Sequence, residues 1–144
     1  MMPKIPEGIR TPAYVLDVAV LKRNLATAAS IKRASGARIL LATKAWAMPA
    51  AFPIMRCVLD GTTASGEYEA RLGSEEFGKE VHVFSPAYTQ AEIASLAVLA
   101  DHVYFNSPEQ LSRFAPLVRQ RPGCKIGIRV NPGYSDATLG GSLM

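Results

Sequence analysis

Short apolar runs alternate with longer amphipathic stretches along the chain. The run Ile39-Leu-Leu-Ala42 is short and wholly apolar, which is typical of a strand buried on both faces of a parallel sheet. Lys44 follows it, at the carboxyl end of the predicted strand. Because α/β folds place their chemistry at that end, Lys44 is a candidate amine nucleophile. The alternative interpretation is an ordinary solvated lysine at a strand end.

The first amphipathic stretch predicts a helix from Val18 to about Ser35. Its apolar residues recur at helical spacing, while its lysines and arginines lie mainly elsewhere on the helix surface. Asp17 is its predicted amino-terminal cap, and Gly36 is its predicted end. The preceding segment 11–16 is β-branched and aromatic around a proline, which predicts a short strand or an extended approach to this helix.

The same alternation continues to residue 130. Further helices are predicted over about 49–59, 65–77, 89–100 and 107–120, and strands over 39–42, 62–64, 81–84, 102–105 and 125–130. Ser65 and Ser107 are predicted to cap two of these helices. Pro53 and Pro116 are predicted to disturb two of them.

Strands separated by helices at regular intervals predict βαβ units and a parallel sheet, that is, an α/β fold. Units this short fit a (β/α)₈ TIM barrel, which usually needs about 250 residues. The 144 residues of the chain provide about five of the eight units. We therefore expect residues 1–144 to be the amino-terminal part of a longer barrel enzyme, or a truncated product of one, with the sheet still open.

Composition narrows the function classes. The net charge is +4, but the 16 basic residues never form a run, so a nucleic-acid interface is not indicated. Cys57 and Cys124 are far apart and have no metal-ligand spacing around them, which predicts buried thiols in a reducing compartment, with neither a disulfide nor a metal site. No apolar segment is long enough to span a bilayer, and the amino terminus does not resemble a leader, so we expect a cytoplasmic protein without membrane contact.

Five polar residues follow the five predicted strands: Lys44, Ser65, Ser85, Asn106 and Arg129. If the strands are parallel, these residues surround one opening, which suits a polar, anionic small molecule that an amine can bind as an imine. Taken singly, each has a structural interpretation as a cap, a turn residue or a surface charge, and their common placement is what favours a site. His82 and His102 are interpreted as packed or solvated rather than catalytic.

Longer motifs carry a specific resemblance. Thr11-Pro-Ala-Tyr-Val-Leu-Asp17 and Leu40-Leu-Ala-Thr-Lys-Ala45 resemble the opening of the fold-type III pyridoxal-phosphate enzymes, the alanine racemase and ornithine decarboxylase group. Within that group, residues 11–135 are similar to the carboxynorspermidine decarboxylase family of polyamine biosynthesis. The motifs that resemble that family include Lys44-Ala-Trp-Ala-Met48, Leu59-Asp-Gly-Thr-Thr-Ala-Ser65, Tyr68-Glu-Ala-Arg-Leu-Gly73, Glu80-Val-His-Val-Phe-Ser-Pro-Ala-Tyr88 and Arg129-Val-Asn-Pro132.

The resemblance implies that Lys44 holds pyridoxal 5'-phosphate covalently and that the parent enzyme decarboxylates carboxynorspermidine or carboxyspermidine to norspermidine or spermidine. It matches Arg129 to an arginine beside the ring oxygen of the cofactor, and Ser65 and Glu69 to residues that line the cofactor face. A homodimer, the remaining barrel units, the phosphate loop and a C-terminal β-domain are further implications for the full-length protein. The alternatives are a diaminopimelate, ornithine or arginine decarboxylase, a racemase, or an inactive pyridoxal-phosphate-binding fragment.

Overall fold

A computed structural model of the chain describes residues 8–134. The strands are β1 (Leu40–Ala42), β2 (Gly61–Ala64), β3 (Glu80–Phe84), β4 (His102–Phe105) and β5 (Lys125–Ile128). The helices are α1 (Val18–Ser35), α2 (Phe52–Met55), α3 (Glu67–Leu72), α4 (Gln90–Leu99) and α5 (Pro108–Val118). A 3₁₀ turn (Pro49–Ala51) leads into α2, and a π-helical turn (Gly73–Phe77) extends α3.

The five strands form one parallel sheet in the order β1-β2-β3-β4-β5. Strands that are consecutive in sequence are thus neighbours in space, with a helical segment in each crossover. This is the arrangement of successive units in a barrel wall, which confirms the predicted α/β class and is consistent with a partial (β/α)₈ barrel.

The core lies on the helix-covered face of the sheet, in two clusters of buried side chains. One joins the later strands to α3, α4 and α5, with Val83, Val103 and Phe105 fully buried at its centre. The other joins α1, β1 and α2, where Phe52 and Phe77 meet edge to face with ring centroids 5.3 Å apart. Only one face of β1 is well covered, because Leu41 is buried whereas its neighbours in the strand are half-buried.

Helix α1 has the predicted limits. The Asp17 carboxylate accepts a hydrogen bond from the Val20 N–H at 3.0 Å, which satisfies one of the free amides of the first turn. Gly36 ends the helix with φ at 69°, a left-handed conformation that favours glycine. The segment 11–16 before it forms no strand, so only the extended alternative of that prediction is left.

Two predicted helices differ in detail. The second is a 3₁₀ turn followed by the short α2, so Pro53 falls in the first helical turn and breaks no hydrogen bond there. The third is capped by Gly66, which corrects the prediction that Ser65 is the cap. The side chain of Glu69 instead accepts the Ser65 N–H at 2.8 Å, which draws Ser65 out of the capping position.

The last two helices have side-chain caps. Thr89 and Glu92 form a reciprocal capping box at the start of α4. Ser107 caps α5 as predicted, accepting a hydrogen bond from the Gln110 N–H at 3.2 Å. The Gln110 amide oxygen accepts from the Asn106 N–H instead of completing a box with Ser107.

The two cysteines are free thiols, but the prediction that both are buried is wrong. Cys57 is exposed and Cys124 half-buried. Cys57 lies in the turn after α2. Among residues 8–134, no helix is long and apolar enough to cross a membrane. The tail 136–144 lies outside the described residues.

Candidate functional site

Lys44 lies in a tight turn immediately after β1. The Ala42 carbonyl accepts hydrogen bonds from the Ala45 N–H at 3.0 Å and the Trp46 N–H at 3.2 Å, which fixes the backbone on both sides of Lys44. The lysine itself is exposed. The structure thus places its amine at the carboxyl end of the first strand, where the sequence predicts it.

Thr43 anchors this turn on the opposite side. It is only 1% exposed, and its hydroxyl lies 3.0 Å from both the Thr63 carbonyl oxygen and Oε2 of Glu69. The same Oε2 accepts the Ser65 N–H. Glu69 therefore connects the turn after β1 to the loop after β2. Sequence reasoning missed Thr43, because its partners are distant in the chain.

Arg129 lies one residue beyond β5. Its N–H donates to the Phe105 carbonyl oxygen at 2.8 Å, which continues the pairing of β5 with β4. Its guanidinium lies over the ring of Phe84, 5.2 Å from the ring centroid, in a cation–π contact. Arg129 therefore reaches across β4 to the end of β3, at the same end of the sheet as Lys44.

The predicted site residues share this end of the sheet but not all share one face. Along β3 and β4 the residues on the helix-free face alternate with buried ones, and Phe84 pairs in register with Tyr104, which pairs with Gly127 of β5. Alternate residues of a strand lie on the same face of the sheet. Continued past the strand ends, this alternation places Ser65, Asn106 and Arg129 on the helix-free side. Ser85 is out of phase. Its N–H donates to the Tyr88 hydroxyl and its own hydroxyl donates to the Ala87 carbonyl, so it belongs to a loop.

Tyr88 and Gln110 hold the loops at this end together. The Tyr88 hydroxyl donates to the Tyr104 carbonyl at 3.0 Å, and burial raises the pKa of this phenol to about 12, so it stays protonated. The Gln110 amide donates to the Pro86 carbonyl at 2.7 Å. These contacts join the loops after β3 and β4, which keeps their ends in place around the opening.

Deeper on the helix-free face, His82 and His102 lie beside Glu80. His82 Nε2 is 3.2 Å from Glu80 Oε2, and its Nδ1 is 3.4 Å from the Tyr104 hydroxyl. One ligand atom each from Glu80, His82 and His102 lies within 4.8 Å of the other two. The sequence analysis missed this cluster, although the two histidines lie one βα unit apart. The two imidazole planes are nearly parallel. Because the ligating lone pair of imidazole lies in the ring plane, this arrangement does not suit a shared metal ion.

A groove of about 580 Å³ lies beside the Lys44 turn. It is lined by Tyr14 and Val15 on one side and by residues 45–49 on the other. The indole N–H of Trp46 is buried and finds no partner among the described residues. The groove is largely apolar.

Comparison with known proteins finds relatives that are similar in sequence and in fold. The chain is 39% identical, over 131 residues, to the carboxynorspermidine/carboxyspermidine decarboxylase of Herminiimonas arsenicoxydans, a match that covers 91% of the chain and 35% of that protein. The crystal structure of the Campylobacter jejuni carboxynorspermidine decarboxylase complexed with norspermidine superimposes with a TM-score of 0.78 at 38% identity, covering 83% of the chain and 32% of that one.

The chain is similar to carboxynorspermidine decarboxylases. This confirms the resemblance that the motifs carry. The carboxyaminopropylagmatine decarboxylase of Synechocystis sp. is 38% identical over 128 residues, covering 89% of the chain and 33% of that protein. The chain thus spans about a third of the length of the curated relatives it matches. No protein-family model matches it.

Proposed function

We propose that the chain is the lysine-bearing part of a pyridoxal-phosphate-dependent decarboxylase of polyamine biosynthesis, which acts on carboxynorspermidine or carboxyspermidine as a cytoplasmic homodimer. The observation that carries this proposal is the 39% identity to such an enzyme across 91% of the chain. The exposed amine of Lys44 at the carboxyl end of a barrel strand supports it, because that is where TIM barrels place their reactive groups.

The residues present fit pyridoxal phosphate. This cofactor needs a primary amine to bind its aldehyde, and hydrogen-bond donors for its ring oxygen and its other polar edges. When bound, this cofactor supplies an electron sink for the electrons left behind as CO₂ departs. Lys44 offers the amine on a turn held by backbone hydrogen bonds. This amine, in its unprotonated form, would hold the cofactor through its aldehyde group.

The other site residues bind and orient in this proposal. Arg129 presents a guanidinium that is held over Phe84, and it would donate to the ring oxygen of the cofactor. The Ser65 hydroxyl, which makes no hydrogen bond within residues 8–134, offers a donor at the same end of the sheet. Glu69 has one carboxylate oxygen engaged with Thr43 and Ser65, and the other oxygen is available at the cofactor face.

Borohydride trapping with mass-spectrometric peptide mapping tests the role of Lys44. We expect pyridoxal phosphate, added to the 144-residue chain, to label Lys44 in preference to other lysines. Lys44→Ala should abolish the site-specific label, whereas Lys22→Ala, an exposed lysine on α1, should leave it intact. Labelling spread evenly over the lysines would contradict the proposal.

A second candidate substrate is carboxyaminopropylagmatine, because a relative of nearly equal identity carries that name. Competition separates the two substrates. A substrate amine that binds productively displaces Lys44 and lowers the amount of trapped label. We expect carboxynorspermidine to compete at lower concentration than carboxyaminopropylagmatine, and the reverse order would favour the second candidate.

A further inference from the structure

We propose that Glu69 is a positioning residue, which acts through Thr43 to hold the turn that carries Lys44. This inference rests on the proposed function only in taking Lys44 as the amine that meets the aldehyde. It assigns to the supporting side of the turn a hydroxyl–carboxylate pair that the sequence comparison does not single out.

The contacts place Thr43 at the junction of three segments. Its hydroxyl lies 3.0 Å from both the Thr63 carbonyl and the Glu69 carboxylate, and its N–H donates to the same carbonyl at 3.2 Å. A hydroxyl has one proton and two acceptor sites, so it shares that proton between two oxygens. Thr43 thus ties the turn to β2 through its backbone and to α3 through its side chain.

Glu69 is itself held from two directions. Its Oε2 accepts the Ser65 N–H at 2.8 Å, a charge-assisted hydrogen bond, and it lies in the first turn of α3, where the helix dipole favours a negative charge. The carboxylate is therefore an anchored acceptor rather than a mobile surface group. A hydrogen bond to such a group limits the motion of the donor that makes it.

The turn needs an anchor because β1 is short and lies at the edge of the described sheet. The strand has three residues, all paired on one side with β2. Thr43 is 1% exposed and anchors the turn on its buried side, whereas the next residue, Lys44, is exposed at the opening. If Thr43 shifts, the amine of the next residue shifts with it.

Amine placement matters because reaction rates depend steeply on the geometry of the approaching groups. We therefore expect Thr43→Val, which keeps the shape but removes the hydroxyl, to slow labelling of Lys44 by pyridoxal phosphate by about tenfold. Thr43→Ser restores the hydroxyl and should recover most of the rate. Glu69→Gln, which removes the charge, should slow labelling by less than Thr43→Val.

The chain offers a matched control in Thr62. This threonine is also fully buried, on the neighbouring strand, but its hydroxyl has no partner among the described residues. Thr62→Val makes the same chemical change without breaking a contact, so Lys44 should label at the wild-type rate. Thermal unfolding of each variant, recorded beside the labelling rate, separates a loss of placement from a loss of folding.

The experiment uses the 144-residue chain, pyridoxal phosphate as the probe, borohydride trapping and peptide mapping over time. A slow Thr43→Val protein that unfolds at the wild-type temperature and is rescued by serine would support the positioning role. If the valine variant does not fold, Thr43→Ala takes its place, because it also removes the hydroxyl that contacts Thr63 and Glu69. If the wild-type chain labels Lys44, and Thr43→Val, Glu69→Gln and Thr62→Val label it at the same rate, the positioning role alone is overturned. Wild-type labelling no faster at Lys44 than at Lys22 would overturn the proposed function.

Discussion

The imidazole rings of His82 and His102 lie face to face on the helix-free side of the sheet, with centroids 3.9 Å apart and planes inclined by 10°. The residues are direct partners in the register of β3 and β4. The pKa of His102 is lowered, mainly because burial disfavours its charged form, and further by the proximity of His82 and Lys125. Glu80 and Asp101 oppose the shift without cancelling it.

This pair predicts a loss of stability in mild acid. The pKa of His102 is lower in the folded chain than in the unfolded one, so the unfolded chain binds the proton first as the pH falls. The stabilisation is complete above a pH of about 6.5, the unfolded value, and is lost as the pH falls through the folded pKa. Urea unfolding at pH about 7.5 and about 5 measures this change in the free energy of unfolding.

His102→Gln should weaken that pH dependence, because the titrating group is gone. The carboxyl groups whose pKa values are lowered, among them Asp60 and Glu80, are retained in the variant, so the difference between the two pH profiles reports His102. An equally steep pH dependence in wild type and variant would show that His102 is not its source.

Asp60 ties the end of α1 to the start of β1. Its carboxylate accepts from Lys32 Nζ at 2.7 Å and from the Ile39 N–H at 2.9 Å, and the hydrogen bond from Lys32 is the main reason for its lowered pKa. Asp60→Asn should lower the free energy of unfolding by about 1–3 kcal/mol at neutral pH, since it leaves a half-buried ammonium without its charged partner. The difference should shrink as the pH falls through the folded pKa of Asp60.

Chemical denaturation of Asp60→Asn beside Glu75→Gln tests this prediction. Glu75 forms an ion pair with Arg71 on the helix surface, where both side chains are largely exposed, so its loss should change little. Equal destabilisation by the two variants would mean that the Asp60 contacts contribute no more than a surface pair.

Local signals were enough to predict most of the fold. Asp17 and Gly36 delimit α1 through contacts within one turn, and the apolar runs mark the strands, so neither depends on distant residues. The cap of α3 was mispredicted because Glu69, four residues later, engages the Ser65 N–H and leaves Gly66 as the cap. Cys57 was mispredicted because its exposure depends on where α2 ends.

The site was predictable only in outline. Parallel strands bring their carboxyl ends together, which placed Lys44 and Arg129 at one edge without any structure. The contact of Arg129 with Phe84, and that of Thr43 with Glu69, join residues from separate βα units whose side-chain directions depend on the register. A sequence pattern does not fix those directions one by one.

Gly61 is predicted to be irreplaceable in β2. A Cβ at this position would collide with the backbone carbonyl of Glu80 on β3, and backbone in a sheet cannot move aside. Gly61→Ala should therefore lower the free energy of unfolding by about 1–3 kcal/mol. Gly66→Ala is the comparison, because a Cβ there meets nothing within 4 Å and its backbone is extended, so its cost should be limited to that of replacing the glycine cap of α3. Thermal melts of both variants test this prediction. A Gly61→Ala chain that unfolds at the wild-type temperature would refute the steric argument.

The described sheet ends in two unpaired edges, β1 and β5, and this predicts self-association of the 144-residue chain. In the proposed full-length barrel, further strands would pair with both edges. Ile128 at the end of β5 is 40% exposed, so Ile128→Lys should raise the concentration at which larger species form. Val98→Lys on α4, exposed but away from the sheet edges, should not. Light scattering coupled to gel filtration gives the mass against concentration. A monomer at all concentrations would disprove edge pairing, and an equal effect of both lysines would move the contact to the helix surface.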